Sequence, residues 1–184
     1  YGVGDTVTLL LGRSGGVAAV AGPSAVKNEL CGVVTETQRS TYDDGHGGTY
    51  TADMVTILAT DGNTYQYQWT ANYLEAGDPV GVSFAADGTV TLRRLSSTGL
   101  SGAVSKDGSK VGDVSFADGA EILDVTGSTA IKIFPSRLAG MNLTRDNVTY
   151  YSLNGNGEID RLILDDATGD AGQFGVLIRM ETMG

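Results

Sequence analysis

Tyr65, Tyr67 and Trp69 stand at alternate positions in Thr64-Tyr65-Gln66-Tyr67-Gln68-Trp69. In an extended strand that spacing puts three rings on one face and the two glutamines on the other. Exposed, the rings form a platform for stacking on the rings of a glycan. Buried, they are the core face of a strand, and the apolar Ile131, Ile133 and Phe134 at the matching place later in the chain favour burial. Other reactive residues are sparse. Ser-His-Asp chemistry needs an imidazole between nucleophile and carboxylate, and the one histidine, His46, lies in the glycine-rich run Tyr42-Asp43-Asp44-Gly45-His46-Gly47-Gly48, which reads as a solvated loop. The one cysteine, Cys31, precedes Gly32-Val33-Val34 and reads as a buried thiol at the entry to a strand.

The carboxylates need a separate reading, because two of them suffice for a glycosidase. Asp61-Gly62, Asp87-Gly88 and Asp107-Gly108 are accounted for by turn geometry, in which Asp accepts from nearby backbone amides and Gly supplies the left-handed residue. Asn154-Gly155-Asn156-Gly157-Glu158-Ile159-Asp160 echoes the middle of an EF-hand loop. Its register puts Ser152 at the first ligand position and Ile163 at the twelfth, where a bidentate Glu is required, so a hairpin turn is the better account. Asp43-Asp44, and Asp165-Asp166 with Asp170, are left as weak calcium candidates. No Cys/His metal spacing, HExxH or phosphate-cradling glycine loop occurs. The expectation is a non-enzyme with no cofactor and no committed metal site, its candidate ligand-binding residues being Tyr65, Tyr67 and Trp69.

The elements that must position these residues are strands. Val80, Val82 and Phe84 alternate with smaller residues, Asp87-Gly88 turns, and Val90 and Leu92 resume the alternation, which is a hairpin signature. Similar hairpins begin at Asp5 and Asp146, and each is followed by a Gly-apolar-apolar run: Gly32-Val33-Val34, Gly102-Ala103-Val104 and Gly175-Val176-Leu177. A repeat of about 70 residues is the organising period. Between hairpins, strands are expected over Cys31–Thr37, Thr49–Ala59 and Thr64–Trp69, with a polar loop over Arg39–Gly48 and a helical turn over Thr70–Glu75 capped by Thr70. In the second unit they are expected over Val111–Phe116, Glu121–Asp124 and Ile131–Phe134, and Pro135–Gly140 takes the place of the helical turn. The fold class is all-β: two tandem small β-barrel-like (SH3/OB-like) modules with very little helix, residues 1–98 and 99–184. The opening hairpin, residues 4–21, is expected to complete the first module, and Phe174–Met180 the second.

Composition agrees. Gly is 27 of 184 residues and Pro only 3, so glycine makes most of the turns. A net charge of -10 argues against nucleic acid, whose phosphates need clustered Lys and Arg. No apolar run reaches the roughly 20 residues that span a bilayer. One cysteine excludes an intrachain disulfide. An opening Tyr without a charged-then-apolar leader reads as a processed or excised segment.

The runs Val3-Gly4-Asp5-Thr6-Val7-Thr8-Leu9-Leu10-Leu11-Gly12, Ile57-Leu58-Ala59-Thr60-Asp61-Gly62-Asn63-Thr64-Tyr65 and Pro135-Ser136-Arg137-Leu138-Ala139-Gly140 resemble the β-rich repeats of S-layer-homology-domain proteins of Gram-positive bacteria. Leu164–Ala171, continuing into Phe174-Gly175-Val176-Leu177, is similar to them too. The resemblance covers nearly the whole chain, and its motifs are structural. It implies a secreted, non-catalytic structural, spacer or display module at a bacterial cell wall or S-layer. The expected partners are other domains of the same polypeptide and cell-wall components. The alternative is a glycan- or protein-binding module that uses the aromatic strand face.

Overall fold

A computed structural model describes residues 8–11, 17–21, 29–69, 73–85, 88–97 and 99–172. Nearly all of its regular structure is strand; among the described residues there is no α-helix, and the sheets have a half-barrel curl. The first two strands, β1 (Thr8–Leu11) and β2 (Val17–Ala21), pair antiparallel as a sheet of their own. The closing strand expected at Phe174–Met180 lies outside the described residues, as do Thr70, Ala71 and Asn72 of the expected helical turn. Tyr73–Glu75 is a non-helical loop.

The first large sheet contains β3 (Glu29–Asp43), β4 (Thr49–Ala59), β5 (Thr64–Trp69), β6 (Pro79–Phe84) and β7 (Val90–Arg94) in the order β5-β4-β3-β6-β7, all antiparallel. Its alternate residues fill one core: Val34, Val55, Ile57, Val80, Val82 and Leu92, with Leu74 from the loop before β6. Full burial of each such side chain is worth about 1.5–3 kcal/mol. Gly32 leaves room for β4 beside it, since a Cβ there would stand 2.5 Å from the Leu58 carbonyl oxygen.

Strands β3 and β4 run further than expected. The loop over Arg39–Gly48 shrinks to the tip, because Asp43 and Asp44 close it with their own carboxylates. Asp43 Oδ1 accepts from the Gly45 amide at 2.7 Å, and Asp44 Oδ1 from the His46 and Gly48 amides at 2.8 and 2.9 Å. The ladder therefore continues to Asp43↔Thr49. Strand β6 covers the other edge of β3 only along Glu29–Val33, so the end of the β3–β4 pair projects as a two-stranded arm.

The second large sheet is built differently. The strands of this half of the chain are β8 (Gly102–Ala103), β9 (Lys110–Val111), β10 (Val114–Thr126), β11 (Thr129–Ile133), β12 (Asn142–Leu143), β13 (Val148–Leu153) and β14 (Ile159–Asp165). The main order is β11-β10-β14-β13, with β9 on β10, while β8 and β12 form a separate small pair. Strands β10 and β14 are parallel. The pairing is thus not a copy of the first sheet, where the corresponding hairpins are bridged by β3. The apolar runs Ile122-Leu123 and Leu162-Ile163-Leu164 account for the difference: strands buried on both faces read as unbroken apolar stretches and suit a parallel pair. Strand β10 also passes through Asp118-Gly119, where two shorter strands were expected. Gly119, at φ +72, takes up a bulge between Phe116 and Glu121. Pro135–Leu138 forms a 3-10 turn at the place expected.

The two sheets share a third cluster, Val33 from β3 with Leu123 and Val125 from β10 and Ile163 from β14. Gly77 sits at the same seam with φ +96, and a Cβ on it would meet the Gly127 carbonyl oxygen at 2.7 Å.

Candidate functional site

Strand β5 places Tyr65, Tyr67 and Trp69 on one face, as its alternation dictates, and all three are half-buried. Tyr67 and Trp69 pack against the core of the first sheet. The rings continue one another: Tyr65 stacks on Tyr67 with centroids 6.4 Å apart, Tyr67 meets Phe84 at 6.1 Å, and Trp69 meets Tyr73 edge-on at 6.4 Å. Tyr65 donates to Asp61 Oδ2 at 2.8 Å, and Tyr73 donates to the Leu92 carbonyl at 2.8 Å. The Tyr67 hydroxyl and Trp69 Nε1 are buried and have no hydrogen-bond partner among the described residues. Burial pushes the Tyr67 phenol up, with Tyr65 and Asp61 adding to it. The polar tips of these two rings point into the protein.

His46 lies at the tip of the arm, exposed, its Nδ1 3.0 Å from the Asp44 carbonyl. The polar turns spend their side-chain oxygens on nearby backbone amides and side chains. Asn154 Oδ1 accepts from the Asn156 and Glu158 amides, closing the β13–β14 hairpin. Asp107 accepts from Ser105 and Ser109, which holds its carboxyl at about 2. Asp170 is clamped by Arg137 through two bonds of 2.6 and 2.7 Å, and Asp166 accepts from Thr126 at 2.9 Å. Among the described residues no three His, Cys, Asp or Glu side chains converge as a metal site would require.

Two charged residues that the sequence did not mark are buried. Asp124 on β10 is fully buried and accepts from the Ala167 and Thr168 amides at 2.9 and 2.8 Å and from the Thr168 hydroxyl. It fastens the loop after β14 to the sheet. Arg161 on β14 is 9% exposed and reaches across the seam. It donates to the Glu29 carbonyl at 3.1 Å and to Cys31 Sγ at 3.4 Å, while its Nε lies 3.7 Å from Glu121 Oε2. Glu121 accepts in turn from the Thr60 hydroxyl at 2.7 Å. Cys31 is held as a neutral thiol: burial pushes it up, outweighing the pull of Arg161. The signal for Arg161 is a lone cation inside an apolar strand, and for Asp124 a lone carboxylate between Leu123 and Val125.

The molecule so described is an all-β protein whose two large, unlike sheets meet along a seam that is apolar at its centre and bridged by hydrogen bonds of Arg161 and Glu121 at its margin. Set against family models, curated proteins and solved structures, the chain matches none of them.

Proposed function

We propose that the chain is a non-catalytic structural, spacer or display module of a bacterial cell surface, of the S-layer type its repeats resemble. The observation that supports this is the seam. Val33, Leu123, Val125 and Ile163, flanked by Arg161 and Glu121, join the two sheets into one piece that can transmit load. We read the sheets as parts of two barrel-like modules, residues 1–98 and 99–184. The half-barrel curl and the change of sheet between β7 and β8 support that division. Its partners on this reading are neighbouring domains of the same polypeptide and wall components. Two measurements test it. An antibody to the chain should label intact cells that carry it, and a single chain pulled from its ends should rupture both sheets in one event. Labelling only after permeabilisation removes the surface role, and independent rupture at low force removes the spacer.

The second reading is a glycan- or protein-binding module acting through Tyr65, Tyr67 and Trp69. The partial exposure of these rings and of the neighbouring Tyr73 favours it. Titration with soluble wall glycan should then quench or shift Trp69 emission; unchanged emission at saturating glycan removes this reading.

A further inference from the structure

Strand alternation gives the β3–β4–β5 region a second face, opposite the rings of β5. Tyr42 on β3 stands directly across from Tyr50 on β4, the two rings near-parallel at 29° with centroids 5.7 Å apart. Further along the same face lie Gln38 across from Met54, then Gln68 and Gln66 on β5. The three glutamines are exposed and the two tyrosines half-exposed. The face is already ordered from within. Tyr50 donates to Gln68 Oε1 at 3.0 Å, and Gln66 Nε2 donates to the Thr56 hydroxyl at 3.2 Å. Those two bonds engage Gln68 Oε1 and Gln66 Nε2, and the other half of each exposed amide, Gln68 Nε2 as a donor and Gln66 Oε1 as an acceptor, is available to a ligand.

The charge pattern selects the occupant. Arg39, Asp53 and Asp43 alternate onto the opposite face of the arm, and within the paired residues 36–43 and 49–56 Glu36, at the base, is the one carboxylate on the tyrosine side. An uncharged strip with paired donors and acceptors has nothing to neutralise a charged partner, and a chain of net charge -10 repels an anionic one. It matches a neutral, hydroxyl-rich chain, whose apolar ring faces lie against aromatic rings and whose hydroxyls both donate and accept. We infer that the face formed by Tyr42, Tyr50, Gln66 and Gln68 is a binding site for a neutral polysaccharide. The assignment is independent of the spacer reading and shares with the second reading only its class of ligand.

Calorimetric titration of the whole chain tests it, with cellohexaose and chitohexaose as neutral probes and polygalacturonate as the anionic control. At least one neutral hexasaccharide should bind, polygalacturonate should not, and Y42A/Y50A should weaken binding at least tenfold. Gln68→Ala should weaken it severalfold, and circular dichroism should show that both variants fold. Leu153→Ser, at an exposed position of β13 in the second sheet, should leave the affinity unchanged. Binding that survives Y42A/Y50A but is lost in Trp69→Phe moves the contact to the ring face of β5 and overturns this assignment while sparing the second reading. No binding to either neutral probe, or equal binding of the anion, overturns it outright.

Discussion

Asp124 and Arg161 show how much one buried charge can decide. Asp124→Ala strips three donors of their acceptor in a dry site. Urea unfolding should show a loss of about 3 kcal/mol or more, with Asp124→Asn losing roughly half as much because one oxygen remains. Cys31 gives a chemical reporter of the same region: an aromatic disulfide reagent should react with it only at the rate of unfolding, and rapid labelling of the folded chain would contradict its burial. Acid acts elsewhere, on Asp107 and Asp170. Hydrogen bonds from Ser105 and Ser109 hold Asp107 at about 2, and Arg137 holds Asp170 below the usual range. Both bind protons more weakly folded than unfolded, so their stabilisation is complete above the ordinary aspartate range near pH 4 and is lost as pH falls through the folded values. Tm should therefore drop between about pH 4 and 2, and less steeply in Asp107→Asn. At this scale the sequence was legible where local rules govern. The Asp-Gly turns and the one-sided array of Tyr65, Tyr67 and Trp69 follow from spacing. The burial of the Tyr67 and Trp69 tips does not, because it depends on Phe84 and the core brought up by the β6–β7 hairpin.

Among the elements, β4 and β5 are where the alternation of the chain places them, and the β6–β7 and β13–β14 hairpins follow their turn residues. What local pattern did not disclose is which strands meet. The parallel β10–β14 pair joins segments separated by a hairpin, a 3-10 turn and two further strands, and no neighbouring residue specifies that choice. The turn before β6 carries a clear test. Gly77 is left-handed and abuts the Gly127 carbonyl, while its neighbour Asp78 accepts from the Glu75 amide and pairs with Arg94. Gly77→Ala should lower stability by about 1–2 kcal/mol from the backbone conformation alone, and more once the seam is forced apart. A urea midpoint unchanged by the substitution would show that the seam yields at this point.

At the scale of the whole molecule the seam makes the sheets interdependent. Trp69, the single tryptophan, reports on the first sheet, whereas Leu123 belongs to the second. Leu123→Ala opens a cavity worth about 2–5 kcal/mol, and the Trp69 emission transition should shift with it to the same denaturant concentration as the far-ultraviolet transition. A Trp69 transition that stays in place would mean two independent units. The composition and periodicity foretold an all-β chain, but the seam was hidden because its members are far apart in sequence. That distance also bears on synthesis. Cys31 and Arg161 are separated by 130 positions, which at ribosomal rates is roughly 7–26 s of elongation. Until Leu123, Val125 and Ile163 have emerged, Val33 lacks its partners across the seam, although β4 and β6 can already flank β3. The seam can close only once β14, the last described strand, has emerged, so the order of emergence, as much as final stability, governs how much of this protein reaches its native form.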